Sequence, residues 1–484
     1  MPEPSLDSPS RLRVAVVGAG TSGLAAAWRL RGRAPEVDLT VFEKSARVGG
    51  VIGTRKVGGF LCELSVDNFI TTVPYGLDLC RELGFQDELQ STNSRYRRTF
   101  VVRNRRLYPL PDGFMTMAPT KLWPMLVTPL LTPWGKLRCG LELLLPRRKS
   151  EEEESLAAFA TRRLGREAFD RIIEPLVGGI YGGDAAKLSL QATLPRFAEM
   201  EAKDRSLIWS MTKSMKKARK TKREEESGAR YSFFITLKCG LQELPERLAD
   251  RIGRERIALN RPVARAERLP EGGWNVVDAQ GRSERFDAVV FASDSGSAAS
   301  ALKESCPRVS ELYGQTDHTG VAIVHLAYRN EQVKRPMEGM GFVVPTSEKN
   351  GVIAGSFSNY KYPSRAPEGT TLLRIFVGGA RAPETVEKPE DELIRLVHTE
   401  TAALLDIEGA PIFTDVARFP NSMPQYYLGR LAWRKELQAA VDAVPTLALA
   451  GNTLDGVGLP ACIKSGYDAA DSVLNSINVN NNNG

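Results

Sequence analysis

The sequence predicts an α/β protein of more than one domain, and three observations predict it. A strand-type run, Leu12–Val17, leads straight into GAGTSG at 18–23 and then into the alanine-rich stretch LAAAWRLRGR. A second apolar run, VDLTVFE, follows and ends at Glu43, so strand, helix and strand alternate as a parallel crossover requires. The chain has 484 residues, more than one compact core usually holds.

Each part of the first unit has a physical task. Gly18 permits the tight turn, Gly20 lets the backbone approach a pyrophosphate, and Gly23 lets helix and strand pack closely. Ala19, Thr21 and Ser22 sit where the helix N-terminus turns its free N–H groups toward an anion. Glu43 closes the second strand, placed to accept hydrogen bonds from ribose hydroxyls, with Lys44 beside it. The unit predicts Rossmann-like dinucleotide binding. Beyond it, Arg47, the doublet Gly49–Gly50, Val51 and Thr54 extend the pattern to E-x3-R-x-GG-x3-T.

Two later segments belong with this unit. IALNRPV, ending at Val263, followed by WNVVDAQGR and FDAVVFAS, predicts a meander returning to the nucleotide-binding sheet. LALAGNTLDGVGLPACIKSGYDAA spans 447–470. There Gly451 ends an apolar strand, and Val457, Gly458 and Leu459 lead into a helix starting near Ala461. With motifs at the start, middle and end of the chain, the nucleotide domain is assembled from discontinuous pieces. No second GxGxxG unit occurs, which argues against a reductase needing a separate NAD(P)H domain.

Composition narrows the remaining classes. Hydrophobic residues make up 42% and charged residues 25%, ordinary for a globular protein. The net charge of +7 fits an anionic substrate, an anionic membrane surface or nothing specific. Between Lys203 and Arg223 lie nine Lys or Arg against one Asp. A solvated helix face or mobile loop is the first reading and anionic headgroups the second; nucleic acid is not expected, because only Trp209 could stack on a base. Six scattered cysteines and three histidines form neither a zinc pattern nor a disulfide framework, so no metal is expected and a reducing, cytoplasmic setting fits best. The first ten residues lack the apolar core of a secretory signal, and they and the Asn-rich tail from Asn478 are expected to be disordered.

The segment 300–420 carries strand-like runs such as VAIVHLAYRN, GMGFVVP and LLRIFVGGA and predicts a covering sheet. Before it, EEEE followed by LAAFATRRLG predicts a helix with an acidic first turn. The apolar stretch from Met117 to Pro146 is interrupted by prolines and lysines too often to span a bilayer. It is either buried core or, through Trp123, Trp134 and its leucines, a monotopic anchor in one leaflet.

The doublet Gly49–Gly50 resembles that of the flavin amine oxidase superfamily, which implies FAD rather than NAD. Within that superfamily the chain resembles the protoporphyrinogen oxidase family across nearly its whole length. The resemblance is carried by GGFLCELSVDNF (58–69), RRTFVVRNRRLYPLP (97–111), VGGIYGGDAAKLSL (177–190), GMGFVVP (339–345), FVGGA (376–380), PQYYLG (424–429) and GVGLPACIKSG (456–466). It implies an FAD-dependent oxidase that converts protoporphyrinogen IX to protoporphyrin IX with oxygen as acceptor, in haem biosynthesis. By the same resemblance Val263 contacts the adenine, and Ser65, Val66, Asp67 and Asn68 lie close to the flavin. The helix behind Val457, Gly458 and Leu459 is directed at the pyrimidine edge of the ring, where it stabilises negative charge on reduction. Val343 and Phe376 border the tetrapyrrole, the Gly179 carbonyl faces its pyrrole N–H groups, and Arg98 meets a propionate.

Two departures from the family stand out: Ser65 and Val66 replace a usual Gly-Pro, and Arg98 is followed by Thr99 before the aromatic Phe100. No general base is assigned. Coproporphyrinogen III as substrate, another flavin oxidase or desaturase, and a partner-binding protein on the same fold stay open as alternatives, as does oligomeric state, a homodimer included. The resulting fold class is a Rossmann-like FAD-binding domain (11–70, 232–298 and 440–477), a mixed-sheet substrate domain (71–114 and 299–439) and a helical, membrane-associating domain (115–231).

Overall fold

A computed structural model describes residues 11–150, 152–214 and 233–482. The disorder expected for residues 1–10, and the part of the basic segment beyond 214, fall outside the described residues.

The first strand, β1 (Arg13–Val17), passes through helix α1 (Thr21–Arg33) to β2 (Asp38–Phe42). These strands join three others in a parallel sheet of order Ile257–Ala258, β2, β1, Ala288–Phe291, Leu447–Leu449. Helices cover both faces, which is why β1 is apolar throughout its buried length rather than alternating. On one face α1 crosses the final helix, Leu459–Asn482. Gly466 makes the crossing close, since a Cβ there would lie 2.2 Å from the Ser22 carbonyl oxygen. On the other face lie the antiparallel meander Val263–Arg268, Trp274–Asp278, Ser283–Phe286 and the helices Ser295–Leu302, Pro307–Gly314 and Arg430–Asp442. These helices share a core with the parallel sheet, so this layer extends past 298 and begins before 440.

The final helix begins at Leu459, close to the expected start near Ala461. Ala469, Ala470, Val473 and Ile477 bury one face of it.

The second layer is a seven-stranded mixed sheet of order Phe413–Pro424, His318–Arg329, Thr370–Gly378, Ala354–Phe357, Gly341–Val343, Thr99–Arg103, Arg106–Pro109. All its pairs are antiparallel except Gly341–Val343 with Thr99–Arg103. One face packs on the helix Glu390–Leu405. The other receives a helical region that includes Trp123–Val127, Pro133–Gly140, Leu156–Leu164, Glu174–Tyr181 and Pro195–Asp204. A fully buried ion pair, Arg163 with Glu142, knots this region together. Glu142 accepts from Ser206 Oγ at 2.6 Å and the Leu207 amide at 2.8 Å, while Arg163 donates to the carbonyls of Pro146 and Arg205 at 3.1 and 2.7 Å. Among the described residues, no helix is long and apolar enough to cross a membrane.

Candidate active site

The glycine loop has two kinds of glycine. Gly18 adopts φ +107°, and its N–H donates to the Phe42 carbonyl at 2.7 Å, which seats the turn between the ends of β1 and β2. A Cβ on Gly23 would lie 1.8 Å from the Gly18 carbonyl oxygen, so no side chain fits where helix meets loop. Gly20 is different: a Cβ there meets only Gly50 Cα, at 3.9 Å. It opens on a cavity of about 610 Å³ that Gly18, Thr21, Ser22 and Gly49–Val51 also line. No side chain caps α1, so its first N–H groups are left to face that space.

Glu43, Lys44, Val263 and Gly451 line the same cavity. The Glu43 carboxylate is fixed at both oxygens, accepting from the Ala19 amide at 2.7 Å and the Ser45 amide at 2.8 Å. Each oxygen keeps a lone pair for a hydroxyl donor. Lys44 pairs with Asp294 at 3.1 Å. Arg47 does not line the cavity; it donates to the carbonyls of Val48, Ile52 and Gly50 at 3.0, 2.8 and 2.8 Å and holds the glycine doublet in place. Gly49 N–H in turn donates to the Ala19 carbonyl at 2.8 Å. The cavity also takes in Arg261, Asp294, Ser297 and Asn452, which the sequence reading did not single out. Asp294 was legible as a helix N-cap, accepting from the Ser297 amide at 2.8 Å just after an apolar strand. Arg261 and Asn452 carry no local signal.

A second group of the expected residues gathers where the two layers meet. Phe69 and Pro460 both abut Gly76, within 2.9 and 3.3 Å of the Cβ it lacks, so the Ser65–Asn68 segment ends beside the N-terminus of the final helix. Val66 and Leu459 share one core with Phe69. The Gly458 carbonyl accepts from the Cys462 amide at 3.0 Å and opens that helix, and Val457 packs on the core that Phe376 also joins. The blocks GGIYGGD and FVGGA meet through backbone, Ala380 N–H donating to the Gly182 carbonyl at 2.7 Å.

Sheet register then sets an apolar row. Phe376 lies opposite Ile323 and Ala354, and Val343 lies opposite Ala354 and Val101. Paired residues share a face, so these side chains line up on the side of the helical region. Gly179 stands over that row, its missing Cβ 3.7 Å from Val343 Cγ1. It belongs to the last turn of Glu174–Tyr181, where carbonyls lose their intrahelical partners. Arg98 is not brought into this group. It precedes the strand Thr99–Arg103, its side chain is 69% exposed, and it reaches only Glu338, at 3.8 Å.

Two residues along the same face the row turns polar: Asp415, His325, Arg374 and Ser356 are register partners in sequence. Arg374 donates to the Glu63 carbonyl at 3.0 Å and to the Ser65 carbonyl, and lies over the Phe376 ring, 4.5 Å from its centroid. Asp67 accepts from Lys361 at 2.7 Å and from Asn68 at 2.6 Å, with Arg374 at 3.7 Å. Burial works to raise the Asp67 pKa, but Lys361 and Arg374 outweigh it and hold the carboxyl at about 2. Glu63 pairs with Arg365 at 3.2 Å. Burial, with Arg374 and Arg55, holds His325 down at about 3, so its imidazole is neutral.

No metal was expected, yet the fold brings ligand atoms of Cys62, His325 and Asp415 within 4.8 Å of one another. Burial pushes the Cys62 thiol up to about 12, and Arg55, paired with Asp415, and Arg374 put two guanidinium charges beside the group, which opposes a divalent cation. Nothing in the spacing of 62, 325, 374 and 415 marks these residues; sheet register unites the last three, and Cys62 reaches them from a separate two-stranded sheet.

A glycine-cradled cavity at the carboxyl ends of the parallel strands, with a second sheet laid beside it, is the arrangement of a dinucleotide-dependent oxidoreductase. The family model of flavin-containing amine oxidoreductases matches residues 21–474, and the chain belongs to that family. The coproporphyrinogen III oxidase of Bacillus subtilis (strain 168) is 33% identical over 474 residues, covering 96% of this chain and 99% of that protein. Protoporphyrinogen oxidase 2 of Arabidopsis thaliana is 28% identical over 495 residues, covering 97% and 95%. The crystal structure of a protein from Exiguobacterium sp. 255-15 named as a protoporphyrinogen oxidase superimposes with a TM-score of 0.84 at 28% identity, covering 96% of this chain and 99% of that one.

Proposed function

We propose that the protein is an FAD-dependent oxidase that converts a porphyrinogen to a porphyrin with oxygen as acceptor, in haem biosynthesis. The observation that carries this reading is the apolar row of Val343 and Phe376 beneath Gly179, set beside the N-terminus of the helix Leu459–Asn482. The residues around the first cavity fit FAD: free N–H groups of α1 and the bare Gly20 for its diphosphate, Glu43 for its ribose, the Val263 backbone for its adenine. Ser65–Asn68 and Val457–Leu459 would hold its ring, and FAD supplies the two-electron acceptor. The chain's own residues position the substrate and exclude water. A porphyrinogen is electron-rich, and its pyrrole nitrogens assist loss of hydride from a bridging carbon, so the protein need only hold that carbon in place. Ile323, Phe376, Ala354, Val343 and Val101 offer no titratable group, which fits a reaction without a general base.

The sequence resemblance points to protoporphyrinogen IX. The higher identity to the Bacillus subtilis protein favours coproporphyrinogen III as a second reading. The test is a side-by-side rate measurement on the two porphyrinogens, following porphyrin fluorescence and oxygen uptake without added NAD(P)H. Porphyrin formed from at least one, with oxygen consumed, is expected. Strict dependence on a nicotinamide cofactor, or no porphyrin from either, overturns the reading.

The helical region supports peripheral association with the cytoplasmic surface of a membrane. Trp123 and Trp134 are 72% and 79% exposed, with Leu126 and Leu137 exposed on the same short helices and Leu144 on the turn that follows. Lys121, Lys136 and Arg147 flank them, suiting anionic headgroups. Co-sedimentation with anionic vesicles, lost in a Trp123→Ser, Trp134→Ser double variant, tests this.

A further inference from the structure

The charges around Asp67 do not balance. Asp67 is flanked by two cations, Lys361 at 2.7 Å and Arg374 at 3.7 Å. The nearby carboxylates are already matched one for one, Glu63 by Arg365 and Asp415 by Arg55. His325, next to Arg374 in register, is neutral. One positive charge is therefore left over. It is well screened from water, since the side chains of Arg374, Lys361 and Asp67 are 4%, 15% and 19% exposed. It is also fixed in position. Arg374 is anchored to the carbonyls of Glu63 and Ser65, and Asn68 holds the other Asp67 oxygen. The cluster lies at the meeting point of the Ser65–Asn68 segment and the Phe376 row, the end of the site where the proposed function puts the reacting ring.

We propose that Lys361 and Arg374, held on Asp67, form a surplus positive charge that raises the reduction potential of the bound flavin, acting as positioning residues for the acceptor rather than as contacts for the porphyrinogen. The physical reason is differential. A flavin gains negative charge on reduction, and a fixed cation in a water-poor site stabilises the reduced form over the neutral oxidised one. Asp67 tunes the effect downward by cancelling one of the two cations. The inference rests on the flavoenzyme reading above.

The test uses the holoenzyme and the affinity of its flavin for sulfite, which adds to the ring to give an anion and so reports the same field without any porphyrinogen. Lys361→Met should weaken sulfite binding about tenfold, and lower the potential by about 30 mV for a two-electron couple. Asp67→Asn should do the reverse, tightening sulfite about tenfold. Lys361→Arg, which keeps the charge, should stay within about twofold of the parent protein. A purely structural cluster would move Lys361→Met and Asp67→Asn in the same direction, by loosening the segment that both support. That outcome, or sulfite affinity unmoved in both, overturns the inference and leaves the functional reading intact. If Asp67→Asn does not fold, the contrast of Lys361→Met with Lys361→Arg decides alone. A parent protein that holds no flavin at all overturns the functional reading and this inference with it.

Discussion

The dinucleotide end of the site is made of backbone, and the substrate end is made of side chains. At the first, Gly18, Gly20 and Gly23 act through what they lack, and the binding groups are amides of α1 and one carboxylate fixed by two more amides. At the second, Phe376 and Val343 come from distant parts of the chain and meet by strand register, with the ion pairs of Arg374, Lys361 and Asp67 beside them. A backbone site tolerates no added atom at a few positions and is indifferent elsewhere. A side-chain site degrades by degrees as each contact is trimmed.

The contrast is sharpest inside the glycine loop. Gly23→Ala puts a carbon 1.8 Å from the Gly18 carbonyl oxygen, where neither helix nor loop can yield cheaply. The expected loss is large, about 4 kcal/mol or more, seen as unfolded protein or a collapsed melting temperature. Gly20→Val meets only Gly50 Cα at 3.9 Å from its Cβ, so the protein should fold normally and be colourless. Stoichiometric FAD in a folded Gly20→Val protein would mean that the cavity beside Gly20 is not the diphosphate site.

These two glycines also explain what the sequence could disclose. Their spacing, between a strand and a helix, is a local pattern with one structural meaning, so the β1–α1–β2 unit was legible before any coordinates. The block GVGLP was legible as a loop leading into a helix, and the helix starts at Leu459, where Pro460 suits the first turn. The polar row was not legible. His325, Lys361, Arg374 and Asp415 look like scattered surface charges in one dimension; the pairing of His318–Arg329 with Thr370–Gly378 and Phe413–Pro424 buries His325, Arg374 and Asp415 together, and Lys361 joins Arg374 through Asp67.

Acid should expose the buried polar row while leaving the backbone site indifferent. The folded protein keeps His325 unprotonated down to about pH 3, whereas the unfolded chain takes up a proton below the ordinary value of 6.5. The unfolded state therefore binds more protons across that window, and stability falls as pH drops through it, by at most about 1.4 kcal/mol per pH unit from this group. Asp67 adds a loss of the same sign only below its ordinary value of 3.8. Between pH 6.5 and 4.5 His318 and His398, also lowered by burial, contribute with the same sign, so the contrast of parent with His325→Gln in urea at the two pH values isolates His325, and the variant should show a flatter dependence. An identical slope in the two proteins would mean that His325 is not held neutral.

Trimming the apolar row should give a smaller and mainly kinetic effect. Phe376→Ala removes ring contact worth about 1–3 kcal/mol, so the Michaelis constant for the porphyrinogen should rise with FAD content unchanged. Arg374 stacks on that ring, so some reorganisation of the cation is expected too, visible as a shift in flavin absorbance. Normal kinetics in a protein that merely melts earlier would make Phe376 part of the core and not a wall of the pocket.

The smallest effect belongs to Arg98, the residue the fold leaves outside the group. Its side chain is 69% exposed and 3.8 Å from an equally exposed Glu338, so neither position nor charge is fixed. A contact from such a side chain to a propionate is worth at most about a fivefold change in affinity, in line with other exposed ion pairs. Arg98→Ala should therefore raise the Michaelis constant only at low ionic strength. At about 1 M salt the screening length falls to about 3 Å and the difference should vanish, while the Phe376→Ala effect persists. The two porphyrinogens sharpen this further. Coproporphyrinogen III carries two more propionates than protoporphyrinogen IX, so a cation at the rim should matter more for the former. A salt-independent loss at Arg98, equal for both substrates, would place its guanidinium inside the pocket and require the rim to be redrawn.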